Sequence, residues 1–225
     1  MMDSADRLEE RFPKAIEKIA ELFNYERTAM EKKLERLNAI YRVTEQKYNE
    51  NIERLKKIDT QTRYVLFGEA APWTPAGDVN YFYHNAAGSW CGRIWNAFFP
   101  KVRRPDTLEE FYVNLGKKQF LLIDTLPFAC EYNKGNARNK PAYKELIEAC
   151  VFYVQSKIND ERISWLPDVK IALAFKVNGL AVIEVYRQGL SLRTGQKLNF
   201  TPTIIAADDS GFTSPKNLKK IFNLS

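Results

Sequence analysis

An alternating α/β fold is what this chain predicts: a three-layer domain with a four-stranded parallel sheet flanked by helices, preceded by an N-terminal helical hairpin or coiled-coil arm. Three observations carry that reading. Apolar runs at 64–67, 120–123, 169–174 and 203–207 have the short length of buried parallel strands. Segments with helix-start signals lie between them, strand then helix in repetition. Residues 1–62 instead repeat apolar side chains at helical spacing.

The arm comes first in the chain. Leu8, Phe12, Ala15, Ile16, Ile19 and Phe23 recur at three- and four-residue steps, and Met30, Leu34, Leu37, Tyr41, Thr44, Tyr48, Ile52 and Leu55 continue the stripe. Two helices are expected, broken near Asn24. The second run approximates heptads, with Glu53 and Lys57 forming an i,i+4 pair beside it. Such a stripe needs cover: from its own domain, from a second copy of the chain as a homodimer, or from a protein partner.

Charge marks the same division. Residues 1–62 hold 13 Lys or Arg and 13 Asp or Glu, whereas 63–225 hold 21 and 15, so the net charge of +6 belongs to the second part. A basic domain is where a polyanion such as DNA would bind, in a salt-sensitive way. With 225 residues, 45% hydrophobic and 13% aromatic, the chain can bury a packed core and is not a disordered one. No basic start followed by an apolar run opens it, and no stretch approaches the ~20 apolar residues of a membrane span, so a cytoplasmic protein without a membrane partner is expected. Cys91, Cys130 and Cys150 are odd in number and lack C-x-x-C spacing, which points to buried, inert thiols rather than disulfides or zinc ligands. Neither a P-loop nor G-x-G-x-x-G occurs, and no metal or cofactor is expected.

The first strand is the most informative element. Val65, Leu66 and Phe67 run into Gly68, which permits a tight exit, and Glu69 follows at once. In an open α/β sheet, ligands sit beyond the carboxyl ends of the strands, where this loop opens. Its prolines and clustered aromatics, up to Trp95, suit a flat ligand. Glu69 is the leading candidate for a catalytic carboxylate and Asp78 the second. His84 is the only histidine, and no nucleophile-elbow pattern accompanies it.

The later elements follow in order. Pro105-Asp106-Thr107 starts a helix that ends near Gly116, and the second strand then exits at Asp124, a residue type that caps turns and helices through its carboxylate. The loop beyond it carries Asn133, Lys134, Asn136, Arg138, Asn139 and Lys140, a composition suited to phosphate contacts or to plain solvation. Pro141 opens a helix through Ile158, and Lys176 to Gln188 reads as another. The fourth strand exits into Asp208, Asp209, Ser210, Gly211, Phe212, Thr213 and Ser214, and Pro215 starts the last helix with Lys216 and Asn217 in its first turn. Unpaired amides at such a helix start can hold a phosphate, with Ser214 as N-cap.

Gly68-Glu69-Ala70-Ala71-Pro72 resembles the first motif of the uracil-DNA glycosylase superfamily, whose branches read G-Q-D-P-Y, G-I-N-P-G or G-E-A-P-G. It is nearest to the last, with one extra alanine. Tyr81-Phe82-Tyr83-His84-Asn85 and the Trp90 to Trp95 segment resemble the tyrosine-rich stretch of the mismatch-specific and hypoxanthine-acting branches, and Ser210 to Asn217 resembles the second motif, with Ser210 in place of its histidine. The resemblance covers roughly Arg63 to Ser225. It implies a four-stranded core and a glycosylase that takes a deaminated base, uracil or hypoxanthine, out of the duplex into a pocket.

In that mechanism Tyr81, Phe82 or Tyr83 stacks on the flipped base, and Asn85 and Asp124 read its edge. Glu69 orients water or stabilises positive charge on the sugar. Lys134, Arg138, Ser210, Thr213, Ser214, Lys216 and Asn217 contact DNA, and Phe212 fills the gap left in the stack. A second class of function fits the same residues: a non-catalytic nucleic-acid or nucleotide-binding module whose helical arm drives assembly. A Glu69 directed into the core would favour the second.

Overall fold

The structure, a computed structural model, describes residues 7–85, 89–132, 134–174, 203–204 and 214–224. At the N-terminus, a single turn α1 (Leu8–Arg11) leads into α2 (Pro13–Phe23), started by Pro13 at its first position. Asn24 ends α2 in the left-handed conformation, its N–H returning to the Ala20 and Glu21 carbonyls, so the expected break falls where the sequence places it. The long helix α3 (Arg27–Lys57) follows. Its buried face, including Leu37, Ile40, Tyr41, Tyr48, Ile52 and Leu55, belongs to the same continuous core as the sheet. The apolar stripe of the arm is therefore covered by the chain's own α/β part.

Strand β1 (Thr62–Gly68) lies between β2 (Phe120–Asp124) and β3 (Trp165–Leu173), parallel to both. Tyr64 pairs with Phe120 and Gly68 with Asp124, while Val65 pairs with Ile171 on the other side after a register irregularity between Thr62 and Tyr64. The sheet of full-length strands is thus three-stranded. Where a fourth strand is expected over 203–207, only Thr203–Ile204 is seen as a two-residue β4, pairing in parallel with Ala172 and Leu173. Strand order β2-β1-β3-β4 sends the chain to one side of β1 and then to the other. The carboxyl ends of these strands are where such a reversal opens a crevice.

The helices flank this sheet. Between β1 and β2 lie α4 (Phe82–Asn85), α5 (Ser89–Phe98) and α6 (Leu108–Lys117). The Tyr81 to Trp95 segment is hence largely helical rather than an open loop: Cys91, Ile94, Trp95 and Phe98 form a buried stripe at helical spacing. Thr107 caps α6 by accepting the Glu110 N–H. After β2, the helix expected from Pro141 to Ile158 is divided at Cys150 into α7 (Pro141–Ala149) and α8 (Val151–Ile158). Cys150 shares its N–H between the Leu146 and Ile147 carbonyls, which tightens the turn and redirects the chain.

Ser214 caps the final helix α9 (Pro215–Phe222) by accepting the Asn217 N–H. Its Phe222 joins Tyr64, Phe98 and Phe120 in an aromatic cluster over one face of the sheet, with ring centroids 5.2 to 6.5 Å apart. The helix read over 176–188 lies outside the described residues. Among the described residues, no helix is long and apolar enough to cross a membrane. All three cysteines are free and buried, and desolvation pushes the Cys91 and Cys130 thiols up to about 12.

Candidate functional site

The exits of β1 and β2 are tied to each other just beyond their last register pair. The Gly68 carbonyl accepts both the N–H of Thr125, at 3.1 Å, and its hydroxyl, at 2.7 Å, and the Glu69 carbonyl accepts the Leu126 N–H at 2.8 Å. These bonds hold Glu69 and Asp124 side by side at the carboxyl edge of the sheet. Nothing bulkier than Gly68 fits between them, because a Cβ there would overlap the Asp124 carboxylate.

The two acids have different surroundings. Glu69 is buried, with its side chain 8% exposed, and both carboxylate oxygens are held by Arg138: Nε to Oε1 at 2.7 Å and Nη2 to Oε2 at 2.6 Å. The Tyr143 hydroxyl donates to Oε1 as well. Arg138 reaches this position from the 3₁₀ segment Lys134–Asn139, where Gly135 and Asn136 both take the left-handed conformation and turn the chain back toward the sheet. Tyr143 comes from the first turn of α7, on the buried stripe with Leu146 and Ile147. The forked guanidinium–carboxylate geometry fixes Glu69 in one orientation.

Among the described residues no comparable cation stands against Asp124, which is half-buried. Desolvation, followed by the negative charge of Glu69, pushes its carboxyl group up from 3.8 to about 7, with Glu45 adding to the rise and Lys157 opposing it. One carboxylate locked in an ion pair beside one carboxyl group whose proton affinity burial has raised is a pairing from which acid and base roles arise. Around Asp124 stand Tyr81, Tyr83 and Tyr153, all buried, with hydroxyls that desolvation pushes up.

The remaining sequence-predicted residues divide by location. Tyr81, Phe82 and Tyr83 are 4%, 9% and 5% exposed and sit inside an aromatic cluster, not on an open platform. Tyr83 spends its hydroxyl on β2, donating to the Leu122 carbonyl and accepting the Leu122 N–H, and Tyr112 donates to the Phe82 carbonyl. Asn85 donates to the Val79 carbonyl at 3.4 Å. Asp78 is exposed on the loop that Arg36 clamps through Thr74 and Gly77. Lys134 is exposed and pairs with Glu131, and Lys140 donates to the Leu22 carbonyl. Arg138 is bonded to Glu69. Ser214, Lys216 and Asn217 are in place at the start of α9, with Lys216 exposed. Asn133, Asp208, Asp209, Ser210, Phe212 and Thr213 lie outside the described residues.

Three participants escaped the sequence reading. Tyr143 and Lys157 occupy positions on helical stripes that otherwise hold apolar residues: Lys157 stands with Cys150, Tyr153, Val154 and Ile158 on the buried face. A lysine in such a stripe is the signal that could have found it. Glu45 follows the buried Thr44 on α3 and gives no comparable sign.

No family model, no curated protein and no solved structure matches the chain.

Proposed function

We propose that this chain is a DNA glycosylase-like hydrolase that cleaves the N-glycosidic bond of a deaminated base, uracil or hypoxanthine, flipped out of DNA, and that it works in the cytoplasm. The observation that carries the reading is the Glu69–Asp124 pair at the carboxyl edge of the parallel sheet, one acid held in a forked ion pair with Arg138 and its neighbour pushed up by burial. The likeness of Gly68 to Pro72 to the superfamily's first motif, and the layered sheet of the resemblance, support it.

In this reading Asp124 is the catalytic acid. Its raised carboxyl group still holds a proton in a large share of molecules near neutral pH, retains contact with solvent, and donates that proton to the departing base as the bond to the sugar breaks; water then bonds to the sugar carbon and gives a proton back to the Asp124 carboxylate. Glu69 contributes a fixed negative charge that favours both the protonated form of Asp124 and the positive charge developing on the sugar. Arg138 and Tyr143 hold that charge in position.

A second reading is favoured by one specific arrangement. Both Glu69 oxygens are engaged by Arg138, and Tyr81, Phe82 and Tyr83 are packed inward. Those are the features of a non-catalytic nucleic-acid or nucleotide-binding module built on the same framework.

The test is base release from oligonucleotides carrying uracil, hypoxanthine or xanthine, single-stranded and paired, with wild type, Asp124→Asn and Glu69→Gln side by side. Release that falls about 10²-fold or more in both variants supports the hydrolase. Salt-sensitive binding with no release from any of these substrates moves the assignment to the binding module.

A further inference from the structure

The N-terminal helix carries a charged group into the interior next to the acid pair. Glu45 of α3 accepts from Lys157 of α8 at 2.8 Å on Oε1 and 2.6 Å on Oε2, and the Tyr153 hydroxyl donates to the same Oε1 at 2.8 Å. Lys157 has 8% of its side chain exposed, and its ammonium group also stands 3.9 Å from the centroid of the Tyr48 ring and 5.1 Å from that of Tyr153. A cation so enclosed by two rings and a carboxylate is fixed in place and poorly screened by water. Both partners act on the Asp124 carboxyl group, in opposite directions. Helix α8 packs on β2, the strand that ends in Asp124.

Apolar side chains of similar volume would seal α3 to α8 at less desolvation cost than a buried ion pair. The Tyr48 ring that Lys157 touches lies 6.3 Å from the Tyr83 ring, and the Tyr83 hydroxyl is bonded to Leu122, two residues before Asp124, so the pair stands one aromatic layer from that carboxyl group. We infer that the Glu45–Lys157 ion pair is a positioning device for Asp124, so that the N-terminal helix is part of the site and its docking sets the charge state of the acid. The role in catalysis rests on the hydrolase reading above; the electrostatic role does not.

The groups facing Asp124 are Glu69 from the β1 exit, Tyr81 and Tyr83 from the α4 region, Lys157 and Tyr153 from α8, and Glu45 from α3. Removing the cation leaves the Glu45 charge unopposed, and removing Glu45 leaves the cation unopposed. The two single changes must therefore move Asp124 in opposite directions, which a structural role alone does not require.

The experiment is a ¹³C carboxyl NMR titration of Asp124 in the full chain, assigned with Asp124→Asn, for Lys157→Met, Glu45→Gln and the double variant. Relative to wild type, Lys157→Met raises the midpoint by about one pH unit, Glu45→Gln lowers it by a comparable amount, and the double variant falls between the two. Should Lys157→Met not fold, the downward move of Glu45→Gln and its reversal in the double variant decide the matter. Midpoints that do not move, or that move the same way in every folded variant, overturn the inference. Base release measured across pH on the same proteins separates the two claims: ordered midpoints without release from any substrate leave the positioning role standing and remove the hydrolase, and release without ordered midpoints does the reverse.

Discussion

Gly68 and Asp124 are register partners at the carboxyl ends of adjacent strands, and the Asp124 carboxylate occupies the space in which a side chain at position 68 would begin. The absence of a Cβ, and not a left-handed backbone, is what the glycine supplies, since it is not among the positive-φ residues. Three atoms of neighbouring side chains, two from Asp124 and one from Leu122, line that space.

Gly68→Ala is therefore expected to swing the Asp124 carboxylate away from Glu69 and to destabilise the fold by about 1–3 kcal/mol through overpacking. Urea denaturation measures the loss, and the ¹³C shift of the Asp124 carboxyl group reports the displacement. A variant with wild-type stability and an unmoved Asp124 resonance would show that the strand exits give way more easily than their hydrogen bonds suggest.

Asp124 gives the protein a characteristic pH dependence. Its folded-state carboxyl group is raised from 3.8 to about 7. Below the lower value both folded and unfolded chains hold the proton; between the two values only the folded chain does, so stability falls as pH rises through this window and levels off above it. Asp124→Asn removes the effect. The variant should gain about 2–4 kcal/mol on wild type between pH 4 and pH 8, the lower figure reflecting the solvent contact Asp124 retains. Denaturant midpoints at the two pH values test this, and a difference between the proteins that does not change with pH would rule out a raised Asp124.

The Glu69–Arg138 pair should show strong coupling. Replacing Arg138 by Gln strands a buried carboxylate at a cost of about 3–5 kcal/mol, and Glu69→Gln leaves a half-buried guanidinium that water still reaches, at a smaller cost. Together they should cost less than their sum by about 2 kcal/mol. A double-mutant cycle in urea supplies the coupling energy. Additive effects would mean that Tyr143 and solvent, not Arg138, hold Glu69.

Much of this architecture is legible in the sequence, because burial on both faces makes parallel strands continuous apolar runs and burial on one face gives helices a period near 3.6. The Asn24 break, the strand at 64–67, the helix start by Thr107, the Ser214 cap and the acid at each of two strand exits were all readable from local chemistry. What could not be read was partnership across the chain. Arg138 meets Glu69 from 69 residues away and Lys157 meets Glu45 from 112, and no local pattern encodes such distances. The Tyr81 to Trp95 segment misled because its aromatics suggest a ligand wall, although Cys91, Ile94, Trp95 and Phe98 already carry a helical stripe. The bond from Arg138 to Glu69 was equally out of reach, because composition reports charge and not direction.

The N-terminal helices should prove inseparable from the rest. Leu37, Ile40, Tyr41, Tyr48, Ile52 and Leu55 of α3 are buried in the core that also contains Leu66, Phe67 and Leu122, and α3 comes close enough to α6 that a Cβ on Gly116 would press on Leu55 and Ile58. Removing residues 1–58 would uncover this apolar face and leave Lys157 without Glu45, and each large side chain lost from such contact is worth about 1.5–3 kcal/mol. Those losses together exceed the 5–15 kcal/mol by which a domain is typically stable. The 59–225 fragment is thus expected to be insoluble, or compact without fixed packing, as judged by a collapsed amide spectrum and loss of a cooperative melt. A fragment that melts cooperatively with dispersed resonances would make the helical arm a dispensable attachment. In the intact chain, Gly116→Val asks the same question more gently: it should push α3 outward and lower stability by about 1–3 kcal/mol, whereas a detachable arm would shift with no measurable cost.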